Sequence, residues 1–500
     1  MNRQIRQLAG GLMLCYVVLF ATLNYWQVGQ EEQLNANLEN TRAVRREFDK
    51  PRGPIVTADG VVVAESVDTT DPDAAFDRVR RYPTGSLFSD VTGYFTLSFG
   101  STQVEREYGD VLTGETAEQQ VRALGDLLSG EVDNSGTVQL TLRHDLQQVA
   151  RFALGGQTGS VVVIDVRTGA VEAMFSNPAY DPSTFVGQPF DEAQAAIVAL
   201  QDAPGNPLLA GGYQERFMPG STFKVITTGI GLEAGVLDVG REFARESEWV
   251  PPQTDDPIEN YRGSVCGGAL PEVFRRSCNI PFAQTAVELG PQRMEAGLRE
   301  WGIGEALPIP LPRPAASTFG DTDDLDQRLP LLAIRGFGQN EVQMVPLHMA
   351  MVAATVANGG RMMVPHVVDR TLDHQGRTLV ETDPEVWKEP ISASTAALMT
   401  ELMTGVTEGE GGTAASVSLD GGVRFAAKTG TAELGLIGDP DRVHAWMIAF
   451  APLEQPRYAV AAVLTDLTST QADAATGGRV AGPVVKSVLD FLLTGPGAGP

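Results

Sequence analysis

The sequence predicts an α+β fold, because apolar runs of strand length occur in pairs and longer apolar runs suited to helices occur elsewhere along the chain. Residues 161–165 and 171–174 are two such runs joined by a Thr-Gly turn, which is typical of a β-hairpin. Residues 445–450 and 458–464 form a second pair around a turn bounded by prolines. Residues 480–493 predict a helix that closes the chain.

Length and composition permit a large core and exclude several classes of function. The chain has 500 residues, 43% of them hydrophobic, which is enough for more than one domain. Its net charge of −26 would repel a phosphate backbone, so we expect no nucleic-acid partner. The five histidines and three cysteines show no metal-ligand spacing, so the sequence predicts no metal and no cofactor.

An apolar stretch near the N-terminus predicts a membrane anchor. Residues 8–28 are apolar over about the twenty residues that a helix needs to cross a bilayer. Two arginines precede the stretch, which places residues 1–7 in the cytoplasm, and Tyr25 and Trp26 stand where an interfacial aromatic belt belongs. A cleaved signal peptide is the alternative, although no A-x-A cleavage site follows the apolar run. Either interpretation exports the rest of the chain.

The next segment is polar at first and then rich in strand signals. Residues 31–47 are polar and predict a helical stalk. Arg52-Gly53-Pro54-Ile55 and the apolar residues 61–64 flank a turn at Asp59-Gly60, which predicts strand, turn and strand. Residues 137–142 then alternate as a strand does, and we expect Asp145 to cap the N-terminus of the helix that follows.

A buried helix is predicted to begin at Phe223 and end near Gly235, after the break in the chain at Pro219-Gly220. Ser221 and Lys224 lie in its first turn, three residues apart, where side chains share one face. A serine hydroxyl is a weak nucleophile until an adjacent base takes its proton, and a lysine desolvated by an apolar helix can be that base. We therefore expect the hydroxyl and the amine to be in contact.

Two further motifs offer the groups that such a serine would need. Ser277-Cys278-Asn279 supplies a hydroxyl that can relay a proton and an amide that can hold a substrate backbone. Lys428-Thr429-Gly430-Thr431 follows residues 423–427, an apolar run with one charge that predicts a strand. A cation, two hydroxyls and a glycine that allows close approach suit a substrate ending in a carboxylate.

These three motifs resemble, in the same order, the S-x-x-K, S-x-N and K-T-G signature of penicillin-binding proteins and serine β-lactamases. S-x-x-K alone is a weak signal, but chance agreement of all three is improbable. The R-G-x-I and D-G pattern that starts at Arg52 resembles class B penicillin-binding proteins, in which this region forms a non-catalytic pedestal. The resemblance extends over nearly the whole chain.

The resemblance implies two folded parts after the membrane span. Residues 136–495 would form the transpeptidase domain, an antiparallel sheet flanked by helices. Residues 29–135 would form the stalk and a small pedestal domain, too short to hold a glycosyltransferase. An ordinary β-rich spacer is the alternative for the pedestal, and it also predicts no catalysis there.

The resemblance also implies a serine D,D-transpeptidase that cross-links the stem peptides of peptidoglycan, drawn from lipid-linked precursor. Ser221 would attack the penultimate D-Ala, Lys224 would take its proton, and Ser277 would relay a proton to the departing D-Ala. β-Lactams would acylate the same serine, and a membrane glycosyltransferase would be the partner enzyme. The implied substrate-binding residues are Asn279, Lys428, Thr429, Gly430 and Thr431, with the backbone N–H groups of Ser221 and Thr431 as the oxyanion hole.

Two rival functions fit parts of this pattern. A D,D-carboxypeptidase or β-lactamase would resolve the same acyl-enzyme with water, but the anchor, the pedestal and the size of the chain favour a transpeptidase. A non-catalytic β-lactam sensor or scaffold would acylate without turnover. A sensor needs a cytoplasmic signalling domain, for which residues 1–7 are too few.

Cys266 and Cys278 are expected to form a disulfide, because the export prediction places both in a compartment that permits disulfides. The loop between them is short and easy to close. Two free cysteines are the alternative. The third cysteine, Cys15, lies in the predicted membrane span.

Overall fold

A computed structural model describes residues 2–24, 50–69, 77–96, 99–126, 133–434, 442–468 and 477–495. The chain begins with the helix Asn2–Asn24. Across these described ranges, no helix has both the length and the hydropathy required to cross a membrane. The predicted span at 8–28 overlaps this first helix, and its end, with Tyr25 and Trp26, lies outside the described residues. The predicted stalk at 31–47 also lies outside them.

After the first helix, the described helices before residue 130 have at most 10 residues, and those after it have 6 to 21 residues. The α-helices after the first are Ser89–Thr92, Gln103–Glu107, Gly109–Thr113, Ala117–Asp126, His144–Leu154, Phe190–Asp202, Lys224–Glu233, Leu270–Arg275, Ile280–Glu300, Leu329–Arg335, Pro346–Ala357, Ala393–Glu408 and Gly477–Leu493. The 3₁₀ turns are Gly85–Phe88, Pro182–Thr184, Gly220–Phe223, Tyr261–Gly263, Leu325–Gln327 and Asp420–Gly422.

The central sheet has five strands, and every neighbouring pair is antiparallel. Its order is Ala426–Glu433, Arg442–Ala451, Tyr458–Thr468, Gly159–Asp165, Val171–Asn177. Both hairpins predicted from the apolar pairs are confirmed. Every residue of Gly159–Asp165 is buried, which requires helices on both faces of the sheet. Pro346–Ala357 packs on the middle strands, and Gly477–Leu493 packs on the sheet together with His144–Leu154, so the predicted α+β class is confirmed.

A second, N-terminal sheet has six strands. Its order is Thr378–Glu381, Val368–Leu372, Thr137–Leu140, Ile55–Val56, Val62–Asp68, Arg78–Arg81. The strand–turn–strand prediction around Asp59-Gly60 is confirmed, because Ile55 pairs with Ala64. The sheet contains strands from both predicted parts of the chain, 29–135 and 136–495, since Thr137–Leu140 pairs in parallel with Ile55–Val56. Two-stranded pairs elsewhere include Phe95–Thr96 with Gly100–Ser101, Glu242–Glu246 with Cys266–Ala269, Glu248–Trp249 with Ile258–Glu259, and Met362–Met363 with Val386–Lys388.

A buried charge cluster lies beneath the N-terminal sheet. The side chain of Glu105 has no exposed surface and accepts hydrogen bonds of 2.7 Å from Nε of Arg52 and of Arg80. The Tyr82 hydroxyl donates to the same carboxylate at 3.2 Å. Burial raises the pKa of Glu105, but the charges of Arg80 and Arg52 outweigh it and leave the pKa below its ordinary value. The arginine of the R-G-x-I pattern is therefore a structural anchor.

Two local predictions are wrong in detail. Asp145 does not cap its helix: His144–Leu154 begins after Arg143, and the distant Asp59 accepts a 2.9 Å hydrogen bond from the His144 N–H. A cap from another segment cannot be seen in local sequence. The strand predicted over residues 423–427 instead starts at Ala426 and continues through the K-T-G motif, because its pairing with Arg442–Ala451 continues to Glu433.

Candidate active site

The candidate nucleophile lies on a 3₁₀ turn, Gly220–Phe223, that leads directly into the helix Lys224–Glu233. The predicted buried helix is confirmed, but it begins at Lys224, and Ser221 lies on the turn before it. Gly220 has a φ of +52°, and a Cβ atom there would lie 2.4 Å from the carbonyl oxygen of Thr431. Only glycine allows this backbone and this contact. Ser221 is therefore held half-buried against the K-T-G strand, at the wall of a cleft.

Lys224 is completely buried behind Ser221. Its Nζ donates to the Ser277 carbonyl oxygen at 2.8 Å and to Asn279 Oδ1 at 2.9 Å, with Ser277 Oγ at 3.4 Å. Burial, and then the positive charge of Lys428, hold the pKa of Lys224 well below its usual value. Among the described residues, no hydrogen bond joins this amine to Ser221 Oγ, so their expected direct contact remains a prediction.

Lys428 is the second buried lysine of the site. Its Nζ donates to Ser277 Oγ and to the Thr429 carbonyl oxygen, both at 2.9 Å. Burial lowers the pKa of Lys428 to about 7. Ser277 Oγ thus lies between two buried amines whose pKa values are both lowered, which suits a hydroxyl that passes a proton on.

The loop that carries Ser277 has an unusual backbone. Ser277 has a φ of +59°, a left-handed backbone conformation that residues other than glycine rarely adopt. Hydrogen bonds from the N–H groups of Ser277 and Cys278 to the preceding helix hold the loop. Cys266 and Cys278 form a disulfide in the structure and are both buried. The bridge ties the S-x-N loop to the strand Cys266–Ala269.

Asn279 completes the S-x-N group, and a neighbour that sequence reasoning missed supports it. The Asn279 amide donates to the Glu259 carbonyl oxygen at 3.1 Å. Asn260, which is only 3% exposed, accepts hydrogen bonds from the backbone N–H groups of Asn279 at 2.8 Å and Ile280 at 3.2 Å. Asn260 belongs to no motif, and only the fold brings it to this position.

Thr413 is a second residue that the sequence did not indicate. Its hydroxyl lies 2.5 Å from the hydroxyl of Thr429, so it orients one of the two K-T-G threonines. Thr413 follows the helix Ala393–Glu408 and precedes Thr429 by 16 residues. No local pattern marks it.

All three motifs meet at one cleft of about 810 Å³. Of the predicted site residues, Ser221, Ser277, Asn279, Thr429, Gly430 and Thr431 line the cleft. Lys224 and Lys428 lie behind its wall, and Cys266 and Cys278 support it from one side. In the part of the chain that the structure describes, no three metal-ligating side chains cluster together. The fold and this cleft define an active-site serine enzyme of the class that recognises penicillin.

Comparison with known proteins identifies the family. Residues 159–490 match the penicillin-binding protein transpeptidase domain, and residues 52–138 match the penicillin-binding protein A dimerisation domain. The chain belongs to the class B penicillin-binding proteins.

Similar proteins match the chain along its whole length. The peptidoglycan D,D-transpeptidase PbpA of Mycolicibacterium smegmatis is 34% identical over 99% of both chains, and that of Mycobacterium tuberculosis is 33% identical over 99% of this chain and all of its own. Solved structures of penicillin-binding protein A from M. tuberculosis are also similar. The ceftriaxone acyl-enzyme has a TM-score of 0.81 at 32% identity, covering 90% of this chain and 100% of that one. The penicillin G acyl-enzyme has a TM-score of 0.79 at 32% identity, covering 89% and 100%.

Proposed function

We propose that the protein is a serine D,D-transpeptidase that cross-links peptidoglycan stem peptides and is acylated by β-lactams. The observation that carries this proposal is the meeting of Ser221, two buried lysines and the S-x-N loop at one cleft. The relatives named D,D-transpeptidases and the acyl-enzymes of similar proteins support it.

In the first step, Ser221 Oγ attacks the carbonyl carbon of the penultimate D-Ala and its proton passes to the Lys224 amine. The burial of Lys224 and its lowered pKa support a neutral amine able to accept this proton. The backbone N–H groups of Ser221 and Thr431 stabilise the oxyanion. Support for this pair comes from the close packing of residue 220 on Thr431.

In the second step, the carbon–nitrogen bond breaks and the departing D-Ala nitrogen takes a proton from Ser277 Oγ. The Lys224 ammonium, 3.4 Å from Ser277 Oγ, gives Ser277 the proton that it took from Ser221, so Lys224 is neutral again, while Lys428 holds the Ser277 hydroxyl at 2.9 Å. An amine from a neighbouring stem peptide then attacks the acyl-enzyme and gives up its proton to Lys224. The new peptide bond forms as the ester bond between the acyl group and Ser221 Oγ breaks, and Lys224 passes the proton to Ser221 Oγ, which restores both groups.

The groups around Ser221 bind the substrate. Asn279 holds the donor peptide backbone through its amide. Thr429, Gly430 and Thr431 border the place where the substrate carboxylate lies, with the charge of Lys428 behind them.

The domain organisation and the membrane topology belong to the same proposal. We assign residues 1–7 to the cytoplasm, 8–28 to a single membrane span, 29–135 to the stalk and pedestal, and 136–495 to the transpeptidase domain. The apolar stretch after two arginines supports the anchor. The family matches at 52–138 and 159–490 support the two folded parts. A separate membrane glycosyltransferase supplies the glycan strands in this proposal, because residues 29–135 are too few to form a polymerase domain of their own.

A cross-linking assay tests the function directly. The purified protein is incubated with lipid-linked precursor and a glycan polymerase, and digested products are scored for cross-linked dimers and free D-Ala. A transpeptidase yields dimers together with D-Ala, whereas a carboxypeptidase yields D-Ala without dimers. Ser221→Ala should abolish both products, and Ser487→Ala, an exposed serine on the last helix, should change neither.

A further inference from the structure

The cleft contains positive charge that the three motifs do not explain. Its described wall carries three arginines, Arg262, Arg276 and Arg479, against two carboxylates, Glu259 and Glu433, in a chain whose net charge is −26. The described residues that line the cleft do not include Lys428, whose buried amine already donates to Ser277 and Thr429. A substrate carboxylate that enters the cleft therefore meets an arginine before it meets that lysine.

Arg479 lies beside the K-T-G strand because two glycines precede it. The Gly477 N–H donates to Thr431 Oγ1 at 3.3 Å, and a Cβ atom on Gly477 would lie 2.5 Å from the Gly430 carbonyl oxygen. A Cβ atom on Gly478 would lie 3.5 Å from Cγ2 of Thr429. The helix Gly477–Leu493 thus begins in contact with all three residues that follow Lys428, and its third residue stands at the rim of the cleft.

The three arginines differ in their surroundings. Arg276 donates to Glu272 at 3.2 Å, so its charge is already paired. Arg262 lies on the S-x-N side of the cleft, in the turn Tyr261–Gly263, with its guanidinium over the ring of Tyr261. Arg479 is exposed, and no described residue forms a hydrogen bond or ion pair with it. It is the guanidinium that remains available on the K-T-G side.

We infer that Arg479 binds the C-terminal carboxylate of the donor stem peptide, and the carboxylate of β-lactams, from the K-T-G side of the cleft. This inference rests on the proposed function. A guanidinium presents two parallel N–H donors that match both oxygens of a carboxylate. Lys428 then donates its hydrogen bond to Ser277 from the buried side of the strand, and Arg479 binds the substrate carboxylate from the solvent side.

The test compares two ligands that differ only at the carboxylate. Rate constants for acylation by benzylpenicillin and by its methyl ester are measured for the full-length wild type, Arg479→Gln and Arg479→Lys. Loss of a hydrogen bond to a charged group should slow acylation of Arg479→Gln by benzylpenicillin roughly 10- to 100-fold. Acylation by the ester should not change, and Arg479→Lys should recover part of the loss.

Lys486→Gln removes one positive charge from the same helix outside the cleft and is the matched control. It should leave the ratio of the two rate constants as in the wild type. Equal losses for the acid and the ester in Arg479→Gln, or no loss for either, would overturn the inference. A wild type that benzylpenicillin does not acylate would instead overturn the proposed function.

Discussion

Replacing Lys428 by methionine should stabilise the folded protein at pH 7 while it disables the site. Lys428 is fully buried, and the fall of its pKa from 10.5 to about 7 costs about 4 kcal/mol of folding free energy at neutral pH. Methionine gives up the two hydrogen bonds of the amine, which are worth about 1 kcal/mol each. We therefore expect Lys428→Met to raise the free energy of unfolding by about 2 kcal/mol at pH 7.

The dependence of this gain on pH has a definite sign. From pH 7 to 10.5 the unfolded chain keeps a proton on Lys428 that the folded protein has released, so the stability of the wild type rises with pH in this window. Lys428→Met lacks the group, so its advantage over the wild type should shrink by about 2 kcal/mol between pH 7 and 9. The lost hydrogen bonds do not affect this change, because they are absent from the variant at both pH values.

Urea unfolding of the detergent-solubilised protein, followed by tryptophan fluorescence at pH 7 and pH 9, measures both quantities. Lys486→Met is the control, since Lys486 is partly exposed and paired with Asp420 and Asp490. The stability of this variant relative to the wild type should not change between the two pH values. A difference between wild type and Lys428→Met that is the same at pH 7 and 9 would show that Lys428 keeps its ordinary pKa, and the reasoning would fail.

Three further predictions concern the base, the buried charge cluster and the disulfide. In Lys224→Arg the guanidinium stays protonated at neutral pH and cannot act as a base, so acylation by benzylpenicillin should slow about 10²–10⁴-fold. Near-normal rates in stopped flow would place the base elsewhere. Glu105→Gln leaves two buried guanidinium groups without their carboxylate and should lower the free energy of unfolding by about 3–5 kcal/mol. Glu118→Gln, at a surface pair, should cost less than about 1 kcal/mol, and equal urea midpoints would contradict this contrast. Replacing Cys266 and Cys278 by serine should slow acylation and lower the free energy of unfolding by at most about 3 kcal/mol. Unchanged acylation rates would show that the disulfide does not affect the active site.

The features that could be predicted from the sequence are those with a short period or spacing. Alternating and continuous apolar runs predicted both hairpins of the central sheet. The break at Pro219-Gly220 before an apolar run predicted the helix that begins at Lys224. These patterns succeed because hydrogen bonding within a hairpin or one helical turn involves neighbours in the chain.

The features that could not be predicted depend on residues far apart in sequence. Asp59 caps a helix that begins at His144, and Asn260 holds the backbone of Asn279. Thr413 reaches Thr429 because the helix Ala393–Glu408, which precedes Thr413, packs beside the K-T-G strand. Side-chain hydrogen bonds of this kind leave no periodic signal, because the tertiary fold alone decides which polar groups meet.

Ser221 is the residue that we expect to carry the acyl group of the acyl-enzyme. The most direct measurement is mass spectrometry of a digest after brief treatment with benzylpenicillin, which maps the modified peptide. We predict a penicilloyl adduct on the peptide that contains Ser221 and no adduct in Ser221→Ala. An adduct on another residue, or one that survives the Ser221→Ala substitution, would show that Ser221 is not the nucleophile.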